Sequence, residues 1–294
     1  MKKLLSNFIL ALLAIALAAG SLSAAPIKMS GSDLIGEKIE KELKADASDI
    51  GLELDISMAG SRDGLDLLKK DQTDIAIVAI PRGQPMPEGF TLVPYAHQIA
   101  AIVVNGENPL EEVSLLQLRQ IFSSQGEKVD SWEKFGLNTA NIVRNIYPLT
   151  VPLSENLALE LFKNTCLDNA NISDNVDVRK SSADVLNILK STTNAIGIVG
   201  IIPPEGVKAL AVSDSLDGAK RQAFKPTLEN IQNGDYPIVL HFYIAYKKDK
   251  LKQLKPLLQI LLSDRLAKVI DDGGLTAAPK SFRKSYSLEL DIQK

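Results

Sequence analysis

An α/β fold in two lobes is predicted by three observations. Strand patterns alternate with helix patterns over residues 27–80 in the order β-α-β-α-β. The texture changes after the sharp break Asn105-Gly-Glu-Asn-Pro109. A long strand pattern, Pro237 to Tyr246, then returns late in the chain. A chain that leaves one layer near 105 and comes back near 237 makes two crossings. Such a pair of crossings is a hinge, and the cleft beside it is where small ligands bind.

The first corner organises the rest. Ile27-Lys-Met29 is extended and ends at Gly31; Leu34, Ile35, Ile39 and Leu43 then repeat with helical period behind Ser32. Strand, tight turn and N-cap serine aim free backbone N–H groups and a helix dipole at one point, where an anion can sit without a charged side chain. Leu52 to Met58 alternates as a half-buried strand and turns through Ala59-Gly60-Ser61-Arg62-Asp63-Gly64 into a second helix. Ile146 to Val151 leads through Pro152 to Ser154-Glu155-Asn156 and a third helix over 155–166. N-cap serines are common on stability grounds alone, so the repetition after each strand carries the signal.

The remaining elements follow in order. Asp74 to Ile80 is a continuous apolar run closed by Pro81, the pattern of a strand covered on both faces. Residues 81–94 hold four prolines and two glycines and read as a loop; 99–104 is another buried strand. Ser114 to Phe122 is an amphipathic helix, and Trp132 with Phe135 is an aromatic pair. Further strands are expected at 195–202 and 207–212, and a helix at 182–190. Leu251 to Ile270 reads as one helix kinked or restarted at Pro256 and stopped at Gly273-Gly274.

Composition excludes several classes of function. The chain has 294 residues, 45% hydrophobic and 23% charged, with a formal charge of −3, which suits a globular protein of one large or two medium domains. Aromatics at 5% and the absence of a basic block argue against nucleic acid as a partner. Lys2 and Lys3, the apolar run Leu4–Ala19 and the small-residue exit Gly20–Ala25 predict a cleaved secretory signal over residues 1–25. No cysteine follows that run, so a lipid anchor is not expected and the destination is the periplasm or the exterior. Cys166, the lone cysteine, cannot form an intramolecular disulfide. His97 and His241 lie at or in strands and read as structural; no metal-spaced cluster and no Gly-x-Ser-x-Gly elbow appears, so an enzyme is not expected, nor a metal or cofactor.

Together these stretches resemble the phosphate-binding subunits of bacterial ABC importers, within the type 2 periplasmic-binding-protein superfamily. Gly31-Ser32-Asp33 is similar to the family's first glycine-serine-threonine turn, and Ala59–Gly64 to its second. Thr73–Ile77, Leu118–Ser123 with Trp132, Asn194–Val199, Tyr236-Pro237 and Gly273-Gly274 fall in the family's order over residues 27–280. The resemblance implies lobe 1 over 26–105 and 237–294 and lobe 2 over 106–236. It implies a monomer that holds a small anionic ligand, phosphate or similar, and an ABC permease as partner. It places the ligand on Ser32, Asp33, Ser61, Arg62, Ser154, Glu155 and Asn156, with Arg82 as a second candidate cation. Ala79 and Ile80 stand where the family carries an acidic or serine–arginine pair. Thr150 aligns with an arginine, Ile198 with a tyrosine, and Asp33 with a threonine. A lost arginine removes a bidentate donor, and added acids repel an anion. The departures imply the alternative of a different small ligand or a protein partner.

Overall fold

The computed structural model describes residues 25–137 and 143–292. The leader expected over 1–25 lies, apart from Ala25, outside the described residues. The first five elements follow the expected order: β1 (Ile27–Gly31), α1 (Asp33–Asp49), β2 (Leu54–Ser57), α2 (Ser61–Lys69) and β3 (Ile75–Pro81). β1 lies between β2 and β3 and runs parallel to both. Ile35, Ile39 and Leu43 of α1 are fully buried, as their spacing requires.

The chain then runs antiparallel. β4 (Thr91–Ile99) starts inside the expected loop and carries Pro94 next to a register shift in its pairing. A proline has no N–H for the ladder and is tolerated where the ladder is already irregular. The buried strand expected at 99–104 is divided between two sheets. Ile99 ends β4, and Ala101–Asn105 is β5 of another sheet. An unbroken apolar run hides this turn, because both halves are buried on both faces.

The second region opens with β6 (Glu112–Ser114), α3 (Leu115–Phe122) and a 3-10 turn at Trp132–Phe135. It continues with β7 (Tyr147–Thr150), α4 (Ala158–Cys166), β8 (Asp177–Val178), α5 (Ser182–Ser191) and β9 (Ala195–Val199). The strand expected at 207–212 is β10 (Val207–Ala209) and β11 (Ala211–Ser213), separated at buried Leu210. β10 pairs with β5, and β11 pairs with β6 and with β12 (Ala223–Phe224). After α6 (Leu228–Gln232), β13 (Val239–Tyr246) inserts between β3 and β4.

The C-terminal segment corrects one expectation and adds an element. The helix expected over 251–270 is α7 (Leu251–Leu261) and α8 (Asp264–Asp272). Pro256 sits inside α7; the restart is at Ser263, whose hydroxyl accepts from Leu266 N at 3.1 Å. Leu254, Leu257, Leu258, Leu261, Leu266 and Ile270 are all buried, so the apolar stripe crosses the break without a gap. β14 (Thr276–Ala277) and α9 (Lys280–Ile292) follow. The sequence reading missed α9, although Phe282, Tyr286 and Leu290 recur four apart.

Two cores result. One packs under the sheet β14-β4-β13-β3-β1-β2, from Ile27 through Phe242 to Leu290. The other packs around β10-β5-β9-β7-β8, from Ile102 through Trp132 to Val212. The crossings between them run side by side. Ala100 N donates to Ile238 O at 3.1 Å, and the Tyr236 hydroxyl donates to Ala100 O at 2.9 Å.

Candidate functional site

The β1–α1 and β2–α2 corners are built against each other by glycine. Gly31 has φ +136°, and a Cβ there would lie 2.0 Å from Ile77 O. The missing side chain lets β1 close on β3: Ser32 N donates to Ile77 O at 2.7 Å, and Gly60 N donates to Gly31 O at 2.8 Å. A Cβ on Gly64 would lie 2.7 Å from Gly31 Cα, so the first turn of α2 packs directly on the end of β1. Ser32 and Asp33 are thereby brought beside Ser61 and Arg62, at the carboxyl edge of three parallel strands.

The helix starts there differ from others in the chain. Ser114, Ser181, Thr227 and Ser263 each accept a hydrogen bond from the first turn of their own helix. Ser32, the N-cap of α1, makes no such bond. Gly60 is the N-cap of α2 and has no side chain to offer. Ser61, expected as a helix-start cap, is the first helical residue, and its hydroxyl accepts from Ala79 N at 2.8 Å. It fixes the end of β3, where the family pair is replaced by Ala79 and Ile80. Two neighbouring helices therefore present first-turn N–H groups that no side chain covers. Arg62 and Asp33 are exposed.

The third corner departs from the expectation. Helix α4 begins at Ala158, so Ser154-Glu155-Asn156 is the loop before it. Pro152 O accepts from Glu155 N at 3.0 Å and tightens that loop into a turn. Asn156, not Ser154, serves the helix start: its Oδ1 accepts from Ala158 N at 2.9 Å. Glu155 Oε1 accepts from Ser182 N at 3.0 Å, which places a carboxylate at the positive end of α5. Asn156 also donates to the Glu155 carboxylate and packs on Gly200, where a Cβ would meet its carboxamide at 2.7 Å. Ser154 is exposed. Thr150, aligned with the family arginine, is fully buried, and its hydroxyl has no partner.

A cleft of about 990 Å³ lies between the two regions. Leu34, Pro81 and Arg82 line it from the first, Leu153, Leu157 and Leu161 from the second, and Gln98 and Leu240 from the paired strands β4 and β13. An adjoining crevice of about 150 Å³ has Leu34, Lys38 and Gln98 on one side and Ser154, Glu155 and Asn156 on the other. The structure thus sets the α1 corner opposite the 154–156 loop. Ser32, Asp33, Ser61 and Arg62 stand outside both linings. Arg82 reaches the cleft with its charge engaged: Nε donates to Gly234 O at 2.9 Å and Nη1 to Asp214 at 3.2 Å.

Gln98 was missed by the sequence reading. It is 1% exposed; its Nε2 donates to Ile99 O at 2.9 Å and Gly200 O at 3.2 Å, and its Oε1 has no partner. The signal available was one amide set between His97 and the apolar run Ile99–Val104.

The reactive side chains lie elsewhere. His97 and His241 face each other across β4 and β13, with ring centroids 6.4 Å apart. Burial, and then the neighbouring His241, push the His97 imidazole down to about 4. Burial pushes the Cys166 thiol up to about 12, and its Sγ–H donates to Leu115 O at 3.1 Å. Among the described residues no group of three or more His, Cys, Asp or Glu side chains is placed to hold a metal.

Residues 17–265 match the family model of the PBP superfamily domain. The chain belongs to that superfamily. Within it, the phosphate-binding protein PstS of Pseudomonas aeruginosa is 29% identical over 213 residues, 69% of this chain and 64% of that protein. The chain thus spans less than two thirds of that relative's length. Protein SphX of Synechococcus elongatus is 21% identical over 253 residues, 82% of this chain and 70% of that protein. Among solved structures, a possible phosphate binding protein from Planctomyces limnophilus superposes with a TM-score of 0.65 at 18% identity, covering 92% of this chain and 99% of its own. PstS from Borrelia burgdorferi superposes with a TM-score of 0.63 at 16% identity, covering 86% and 99%. These likenesses show the two-lobed fold of the PBP superfamily.

Proposed function

We propose that this PBP-superfamily chain is an extracytoplasmic solute-binding protein that holds a small oxyanion, phosphate or a close analogue, between its lobes for an ABC importer. One observation carries the reading: the starts of α1 and α2, side by side at one strand edge, both lack side-chain caps, while Ser or Thr caps close α3, α5, α6 and α8, and the uncapped α7 continues from the 3-10 turn Lys248–Lys250. A desolvated oxyanion must recover the hydrogen bonds it gave to water, at a penalty of several kcal/mol if it fails. Backbone N–H groups at two helix starts supply donors and a favourable dipole together.

In this reading Ser32 and the N–H groups of Asp33 and Leu34 face the ligand first. Asp33 accepts the proton of a monoprotonated oxyanion, Arg62 supplies long-range attraction, and the 154–156 loop closes from the other lobe. Glu155, already bound to Ser182 N, repels an anion less than a bare carboxylate does. From the sheet memberships we place the crossings at Ala100 and near Ile238, so lobe 2 spans roughly 101–237 rather than 106–236. Export follows from the leader expected over 1–25, and the importer partner from the family resemblance. Isothermal titration calorimetry of the mature protein with small oxyanions, phosphate first and then its organic monoesters and carboxylates, tests the reading; no heat from any of them at millimolar concentration overturns it.

A second reading, a different small ligand in the same cleft, is favoured by buried Thr150 and by Ala79 and Ile80 at the strand end. A non-phosphate molecule co-purifying with the protein, identified by mass spectrometry, supports it. A protein emptied by refolding that takes up phosphate alone overturns it.

A further inference from the structure

The cleft and its floor say more about the ligand than the helix starts do. A water claims about 30 Å³ in the liquid, so the cleft of about 990 Å³, which opens to solvent on one side, has room for much more than an inorganic oxyanion. Volumes of several hundred Å³ suit organic ligands of ten or more heavy atoms. The walls agree. Leu34, Leu153, Leu157, Leu161 and Leu240 line the space. Arg82 is neutralised by Asp214, and Glu160 by Lys163. Apart from Asn164 and Thr165 at one side, such walls give a dianion little and an apolar body a great deal.

Gln98 adds an independent demand. Both acceptors of its amide, Ile99 O and Gly200 O, are carbonyl oxygens, so the nitrogen must face them and the orientation is fixed. Its Oε1 is left buried without a partner on a side chain that lines both the cleft and the crevice. An orphaned buried acceptor is costly until a donor reaches it. The ligand therefore brings an O–H or N–H to this point while its charged oxygens face the N–H groups near Leu34.

We infer that the cleft takes a singly charged acid that keeps one proton donor on its head and carries an apolar body, of which a monoalkyl phosphate monoanion is the simplest member. The head lies between the α1 start and Gln98, and the alkyl chain lies along Leu153, Leu157 and Leu161. This inference rests on the oxyanion reading above and narrows it to organic acids. An apolar carboxylic acid with a hydroxyl beside its carboxylate presents the same groups.

Calorimetric titration of the mature protein at about pH 6 with four probes decides it: inorganic phosphate, n-hexyl phosphate, 2-hydroxyoctanoate and n-hexanol. The expected result is binding of n-hexyl phosphate or 2-hydroxyoctanoate at least tenfold tighter than inorganic phosphate, with no heat from n-hexanol. Which of the two acids binds tighter identifies the head group. Leu153 is 53% exposed, so Leu153→Ser leaves the fold intact. It is expected to weaken the acid with the chain several-fold and to leave phosphate unchanged. Gln98→Leu, which removes the acceptor, is expected to lose about tenfold toward the monoanion, and Gln98→Glu, which adds a charge of the ligand's own sign, to lose at least as much. Inorganic phosphate binding as tightly as both acids overturns the inference and leaves the oxyanion reading standing. Binding of n-hexanol equal to n-hexyl phosphate overturns it too, because the head then plays no part. Silence from all four probes overturns the oxyanion reading and the inference with it.

Discussion

Gly31→Ala and Gly60→Ala form a matched pair that tests how the two corners are built. Their φ values are +136° and +134°, so an alanine at either is strained by the backbone alone, by roughly 1–3 kcal/mol. The surroundings differ. Nothing lies within 4 Å of a Cβ on Gly60, whereas a Cβ on Gly31 would lie 2.0 Å from Ile77 O and 2.6 Å from Ile77 N. Those atoms belong to the backbone of β3 and cannot rotate aside. β1 must move off β3, which breaks Ser32 N to Ile77 O and Gly60 N to Gly31 O. Two lost bonds at about 1 kcal/mol each, added to the strain and the disturbed packing, put Gly31→Ala near 5 kcal/mol. Urea unfolding followed by far-UV circular dichroism measures both. With a slope of about 3 kcal/mol/M, Gly31→Ala is expected to lower the midpoint by more than about 1.5 M and Gly60→Ala by less than about 1 M. Equal shifts refute the close approach of β1 to β3 and with it the geometry of the site.

Three further outcomes are expected. His97 is held at about 4, below the ordinary value, so protonation favours the unfolded chain. Stability is then fully present above about pH 6.5 and falls as pH drops toward 4, by about 3 kcal/mol from this residue. His97→Gln should flatten that limb in denaturation series between pH 7 and 4; an unchanged slope contradicts the burial argument. Ser263→Ala should lose about 1 kcal/mol in thermal unfolding, because its cap bond is made. Ser32→Ala should change stability by less than half as much while weakening the ligand, and the reverse order would show that the α1 hydroxyl is structural. Cys166, fully buried with its thiol pushed up to about 12, should resist an aromatic disulfide reagent in the folded protein and react at once in urea.

Much of the fold was legible because it rests on local rules. The β-α-β-α-β order, the fully apolar β3 and the glycine turns each follow from period or backbone freedom. What could not be read was where one apolar run changes sheet, as at Ala100 and Leu210, because burial on both faces looks the same in either sheet. The stripe that runs from Leu254 to Ile270 hid the restart at Ser263 for a similar reason. At the site, three serines looked alike in sequence. In the fold Ser32 is an unused cap, Ser61 is tied to Ala79 N, and Ser154 has yielded its place to Asn156. A hydroxyl's role depends on which backbone group arrives beside it from far along the chain. Gln98 escaped notice because its significance lies in an acceptor left over once two carbonyls have claimed its nitrogen.

The interleaving of the sheets also sets an order of assembly. β3 gains its neighbour β13 only through pairs such as Ile75 with Tyr246, which lie some 170 residues apart. The sheet around β5 and β9 is drawn from 101 to 209 alone. Closing the shorter span loses less chain entropy, so the inserted half is expected to gain its sheet before β13 docks between β3 and β4. Pulse-labelled hydrogen exchange during refolding should show Ile102–Val104 protected before Phe242–Ile244; simultaneous protection would mean that the two halves condense as one nucleus.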